Sequence, residues 1–322
     1  MQASRPPRPL PWSRWLRRYG TVLAAGLIVV GFSALSPDAF FSAQNALNVS
    51  RQISFLVIVA VAATFVMVVG EFDLSVGALA SLGGVLAAQL AVRGVPVGLC
   101  FALAALAGLL IGLVNGLLIT RFRLLSFITT LAMGTVLGGV VFWMTGGTTV
   151  FENIPPSFSA LGRASPLGVP ALSLLMLAVV LLAWLLLTHT PFGRRLYAVG
   201  GNEAAARVAG ISTGRHKTLA FALSGLLSAL TGALLASRLG SAQPTGGNGL
   251  FLPAYAAAFL GMTAFRDGVP NVFGTLLGAL IIGLLANGLT ILQVPTFLQD
   301  VITGVIVILA VIVQKLGRTP DP

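Results

Sequence analysis

Long apolar runs separated by short polar or glycine-rich breaks fill the chain from residue 19 to residue 314. Runs of roughly 17 to 25 apolar residues are long enough to cross a bilayer as helices. The pattern predicts such helices near 19–35, 52–70, 74–92, 96–120, 124–145, 171–188, 218–239, 250–265, 269–290 and 296–314, with the first and eighth runs the weakest. The fold class is therefore all-α, a polytopic membrane helix bundle of about ten transmembrane helices. A transmembrane domain over 19–316 is flanked by polar tails at 1–18 and 317–322.

Within the apolar runs, Leu-Ile-Gly-Leu-Val-Asn-Gly-Leu at Leu110–Leu117 recurs with one residue inserted at Ile281–Leu289. Each copy is followed by a short polar stretch and another span, but the two leave the membrane on opposite sides. That is the signature of an inverted repeat, whose pathway lies at the repeat interface near mid-membrane. Gly108 with Gly112, and Gly274 with Gly278, have the small-xxx-small spacing that lets helix backbones approach in lipid. Their predicted role is packing.

Composition adds direction to this picture. Apolar residues make up 57% of the chain and charged residues 8%, against about a quarter charged in soluble domains. The net charge of +11 is spread over short loops without interleaved aromatics, so a nucleic-acid partner is not expected. Positive-inside topology explains the charge better. With Met1–Arg18 inside, only Arg51, Arg93, Arg163 and Arg238 of the 19 Lys and Arg fall outside. The run at 19–35 then reads as an uncleaved first span, both termini are cytoplasmic, and Gly146–Pro170 forms a small outer cap. The single cysteine, Cys100, excludes an intrachain disulfide.

The charged segment Thr188–Lys217 contains a predicted short helix. Asn202 is placed to cap it, Glu203 sits at its positive end, Glu203 and Arg207 are spaced as an i, i+4 ion pair, and Gly210 supplies the stop. About two turns of helix are marginal alone, so the segment must dock on something. The chain has no Gly-Lys-Ser/Thr phosphate loop, since Lys217 follows His216 and Lys315 follows Gln314. If ATP drives transport, another polypeptide hydrolyses it, and this helix, with Ala204, Ala205 and Ala206 on a small face, is where that polypeptide grips.

Other candidates are weaker. Glu71, Asp73 and Ser75, between the second and third spans, read either as a helix cap at the cytoplasmic interface or as a gate. Proton coupling is disfavoured because no ionisable residue falls in the middle of an expected span. Asn45, Asn48, Gln52, Asn115, Gln243, Asn248 and Asn287 suit a neutral hydroxylated solute, or else interhelical hydrogen bonds. His189 and His216 read as solvated loop residues without metal-binding company, and no catalytic nucleophile or metal site is expected.

Five motifs carry a family resemblance: Asp73-Leu74-Ser75-Val76-Gly77, Phe192-Gly193-Arg194, Gly200-Gly201-Asn202-Glu203-Ala204-Ala205, Ser241-Ala242-Gln243-Pro244 and Asn287-Gly288-Leu289. In that order they resemble the ribose, xylose, arabinose and galactose type permeases of bacterial ABC importers, over nearly everything from Asn45 to Gln314. The resemblance implies an inner-membrane subunit working by alternating access, in a homodimer or heterodimer of permeases. The dimer would sit on two ABC ATPase subunits that carry ATP and Mg, and a periplasmic substrate-binding protein would serve it. It implies that Gly200–Gly210 is the ATPase-coupling element. The chain departs from the family pattern at Gly70-Glu71-Phe72, where many members have Gly-Gly-Ile, and at Gly261–Gly268. The solute is left as a pentose, a hexose or a sugar-like signal such as autoinducer-2. A branched-chain amino-acid type ABC permease and a secondary transporter remain the alternatives, with a channel-like protein third.

Overall fold

The computed structural model describes residues 25–262 and 268–317, excepting the side chains of 307 and 310–317. The N-terminal tail, residues 19–24 of the first expected span, residues 263–267 of the Gly261–Gly268 stretch and the last five residues lie outside the described part. The helices are α1 (Ala25–Leu35), α2 (Pro37–Phe40), α3 (Ala43–Val68), α4 (Val76–Val92), α5 (Val97–Phe122), α6 (Ser126–Thr145) and α7 (Pro156–Arg163). They continue with α8 (Ala171–His189), α9 (Pro191–Gly201), α10 (Glu203–Val208), α11 (Thr213–Leu239), α12 (Asn248–Met262), α13 (Val272–Ile291) and α14 (Thr296–Gly317). Among the described residues there is no strand, only an isolated bridge between Val150 and Ala242.

A helix stands at each expected span. Six are long and apolar enough to cross a membrane, the helices at 76–92 and 248–262 are shorter, and the described apolar parts of the first and last helices are 25–35 and 296–306. The main difference in bounds is α3, which starts nine residues before the expected 52. Ser42 accepts from the Asn45 amide to begin it, and its first two turns are polar, which hides them from a hydropathy count. Likewise α11 begins at Thr213, so His216 and Lys217 belong to a long helix and not to a loop.

Pairing of the helices obeys an inverted repeat. Helix α3 packs on α12 and α13 as α11 packs on α4 and α5; α4 meets α5 and α6 as α12 meets α13 and α14. The exchange maps α3–α6 onto α11–α14 with reversed direction. Its centre is formed by α3 and α11, which are mostly enclosed, while α5, α6 and α8 leave most of their apolar surface exposed. In lipid that surface needs no protein cover.

Small residues set the closest seam. A β-carbon on Gly108, Gly112 or Gly116 of α5 would run into the backbone of Gly225, Phe221 or Thr218 of α11. The expected packing role of these glycines is met by backbone lying on backbone. One end of the bundle carries α9 and α10 and is termed the charged end. The other carries α7, which seals the end of α11: Phe158 is fully buried, and Ser237 Oγ donates to its carbonyl at 2.6 Å.

Candidate functional site: the helix break and the charged end

Between α3 and α4 the chain breaks inside the bundle. Helix α3 ends through Gly70, whose φ of +79° is the left-handed conformation glycine adopts freely. The Glu71 amide still reaches the Val66 carbonyl, but the four amides of Phe72, Asp73, Leu74 and Ser75 have no helical partner, and an unsatisfied amide away from water is costly. Each receives a side-chain acceptor instead. Phe72 N donates to Ser126 Oγ at 3.4 Å, Asp73 N to the Tyr255 hydroxyl at 2.7 Å and Leu74 N to Thr130 Oγ1 at 3.0 Å. Ser75 N donates to Asp73 Oδ1 at 3.0 Å.

Asp73 is the hub. It is wholly buried and accepts from both the amide and the hydroxyl of Ser75. Ser224 Oγ of α11 donates to Oδ2 at 2.9 Å, and the Tyr255 hydroxyl donates back to the Asp73 carbonyl at 3.0 Å. Asn115 of α5 donates to Ser75 Oγ at 3.1 Å. Asp73 therefore holds the amide of Ser75, the residue just ahead of α4, from inside the bundle, and Ser75 itself makes no side-chain cap. Ser224 stands seven residues further along α11 than Lys217, a rise of about 10 Å. Depth of this kind is fixed by neighbouring helices and has no local signal.

Glu71, two residues earlier, faces the charged end. Lys217 Nζ lies 2.6 Å from Glu71 Oε1 and 2.7 Å from Glu203 Oε2. The side chains of Lys217 and Glu71 are 14% and 18% exposed and that of Glu203 39%, so Glu203 is the open member and the other two are largely covered. The hydrogen bond from Lys217 holds the Glu203 carboxyl below its ordinary value.

Helix α10 has the expected local design. Asn202 Oδ1 accepts from Ala205 N at 2.9 Å, and Arg207 pairs with Glu203 at 3.0 Å. Gly210 takes φ +79° while Ile211 N reaches the Ala206 carbonyl, closing a Schellman stop. One expectation fails. Ala206 is buried against the chain itself, so it cannot belong to a partner-facing surface. Ala204 and Ala205 are exposed, and the apolar tip is Val208, which is 91% exposed. Gly200 has an internal role: a side chain there would collide with the Val68 carbonyl at the end of α3. Gly201 is exposed.

His216 is also not a solvated loop residue. It is buried in the first turn of α11, with Nδ1 2.9 Å from the Ser212 carbonyl and its ring stacked on Phe192. His189 meets Trp184 edge-on at 4.6 Å.

The polar candidates divide. Asn45 and Asn287 exchange two hydrogen bonds, at 3.0 and 3.1 Å, joining α3 to α13, while Asn115 is enclosed and bonded to Ser75. Gln52, Gln243 and Asn248 are exposed. None of the six lines the open cleft of ≈ 550 Å³ beside α13, whose walls are mainly Trp184, Tyr197, Phe273 and Leu276. Near α7, Arg163 donates to the carbonyls of Arg238 and Leu239, Arg51 donates to Ser165, and Arg238 lies over the Phe55 ring. Among the described residues none of these three arginines meets a carboxylate.

Sequence reasoning missed Lys217, Val208, Ser224 and Tyr255. Only Lys217 left a trace, as a lone ammonium at the entrance of an apolar span, where an unpaired charge is costly.

Comparison with known proteins completes the picture. Residues 45–311 match the family model for the branched-chain amino acid transport system permease component. The chain is 41% identical over 301 residues to the ribose import permease protein RbsC of Bacillus subtilis (strain 168), covering 93% of each. It is 40% identical to the protein of the same name from Escherichia coli (strain K12), covering 94% of each. To the D-allose transport system permease protein AlsC of Escherichia coli (strain K12) it is 34% identical, covering 96% of this chain and 95% of that one. No solved structure matches significantly.

Proposed function

Because the chain belongs to this family of transport permeases, we propose that it imports a sugar or sugar-like solute as the permease subunit of an ABC importer. The observation that carries the proposal is similarity along nearly the whole chain to permeases named for ribose and D-allose. It favours a sugar over the branched-chain amino acid of the family's title. The chain is a multi-pass membrane protein, and its relatives are transport subunits, not enzymes.

In this reading the charged end faces the cytoplasm, as the distribution of Lys and Arg favours, and ATP and Mg reside on separate ATPase subunits. Helix α10 meets the ATPase through Ala204, Ala205 and Val208, with Asn202, Glu203, Arg207 and Gly210 shaping it. A surface helix that leaves an aliphatic tip 91% exposed has the form of an anchor for a partner's pocket. The end with α7 faces outward, where Arg51, Arg163 and Arg238 suit acidic groups on a substrate-binding protein. Gln52, Gln243 and Asn248 offer neutral hydrogen-bonding groups to the solute, and the exposed faces of α5, α6 and α8 serve lipid and a second permease copy.

The test is reconstitution of the permease with its ATPase and binding protein in vesicles. Uptake of D-ribose, D-allose or D-xylose that requires ATP is expected; uptake of such a solute without the ATPase would overturn the reading. Ala205→Glu with Val208→Glu should lower ATPase co-purification by about tenfold or more, the scale of a lost interface anchor.

A further inference from the structure

Two contacts join the α9–α10 hairpin to the α3–α4 break, and they differ in kind. The first is steric: Gly200 lies against the Val68 carbonyl, and Gly70 against Gly200. Two surfaces in van der Waals contact transmit a push but offer little resistance to separation. The second is ionic: Lys217 Nζ holds Glu203 of α10 and Glu71 of the break at 2.7 and 2.6 Å. Charge-assisted hydrogen bonds resist being drawn apart, so this contact also transmits a pull.

What lies beyond Glu71 gives the pull a destination. The amides of Phe72, Asp73 and Leu74 are bonded to α6 and α12, and the Asp73 carboxylate to α11. A displaced break must carry these bonds with it or break them.

We propose that Lys217 is the positioning residue that passes the displacement of α10 to the helix break, and thereby to the helices gathered on Asp73. This rests on the reading of α10 as the ATPase-facing helix. Removing Glu71 alone separates the two ideas, because it leaves α10 paired to α11 and its outer face unaltered while releasing the break.

The experiment is hydrogen–deuterium exchange on the full permease–ATPase complex in nanodiscs, with and without trapping by ATP and vanadate; no solute is needed. Two peptides are followed, one over α10 and one over residues 66–76. In the native complex, docking protects α10, and trapping changes exchange in the break by about fivefold or more, the range of a typical coupling between sites. In Glu71→Ala, which leaves Lys217 no acceptor on the break, and in Lys217→Met the α10 protection remains while the response of the break falls below about twofold. Lys217→Arg, which keeps the charge, retains the response. A break that responds as strongly in Glu71→Ala as in the native complex, or that does not respond in the native complex, overturns the proposal. Absence of α10 protection in the native complex instead overturns the docking reading. Should Lys217→Met fail to fold, Glu71→Ala decides alone.

Discussion

Glu71 and Asp73 are two carboxylates in one seven-residue break, yet their surroundings are opposite. Among the described residues Asp73 meets no cation; hydroxyls and an amide satisfy it from Ser75 and Ser224, and it is sealed from solvent. Glu71 has an ammonium and lies beside solvent. The first arrangement uses short side chains packed on fixed helices. The second uses two long side chains that can follow movement without losing contact. A break inside a bundle needs the first to satisfy its amides and the second to answer to anything outside.

That contrast is open to direct attack. The largest effect is expected at the buried carboxylate. Asp73→Ala orphans the Ser75 amide and hydroxyl and the Ser224 hydroxyl, and each buried donor left unpaired costs about 1–3 kcal/mol. Thermal unfolding of the purified protein should show a large loss for Asp73→Ala and a smaller one for Asp73→Asn, which keeps an acceptor. Equal losses for Asp73→Ala and Glu71→Gln would erase the distinction.

Acid should act on the outer member of the pair's network before it alters the fold. The Glu203 carboxyl is held below its ordinary value by Lys217. Its contribution is therefore complete above the ordinary carboxylate range and is lost as pH falls through the lowered value. A fluorophore on α10 should report loosening only on the acid side; loosening that begins near neutral pH would assign control to another group. The smallest effect belongs to Arg207→Ala. That pair is exposed, and removing it should change stability by no more than about 0.5 kcal/mol, measurable as a near-native melting curve.

Much of this was legible from the chain because it is local. The spans follow from apolar length, and the cap, ion pair and stop of α10 follow from four residues, Asn202, Glu203, Arg207 and Gly210. Gly108 and Gly112 announced a close seam. The break was visible as a polar interruption, but not its depth, since its acceptors come from Ser126, Thr130 and Tyr255 on other helices. Glu71 and Lys217 are 146 residues apart in sequence, and no spacing rule spans that distance. Ala206 lies inward and Val208 outward for a related reason: which side of a short helix faces inward depends on what it rests upon.

The seam between α5 and α11 has a further consequence when set beside its counterpart in the repeat. Gly108, Gly112 and Gly116 lie on the backbone of α11, whereas Gly283 of α13 faces only the side chain of Ile53 on α3. Backbone has nowhere to yield, while an isoleucine can change rotamer. Two halves alike in topology are therefore unlike in compliance: α5 with α11 behaves as a single beam, and α3 with α13 as a yielding joint. In the proposed importer, an alternation between inward and outward openings would be geared, with the slack concentrated on one side of a symmetric frame.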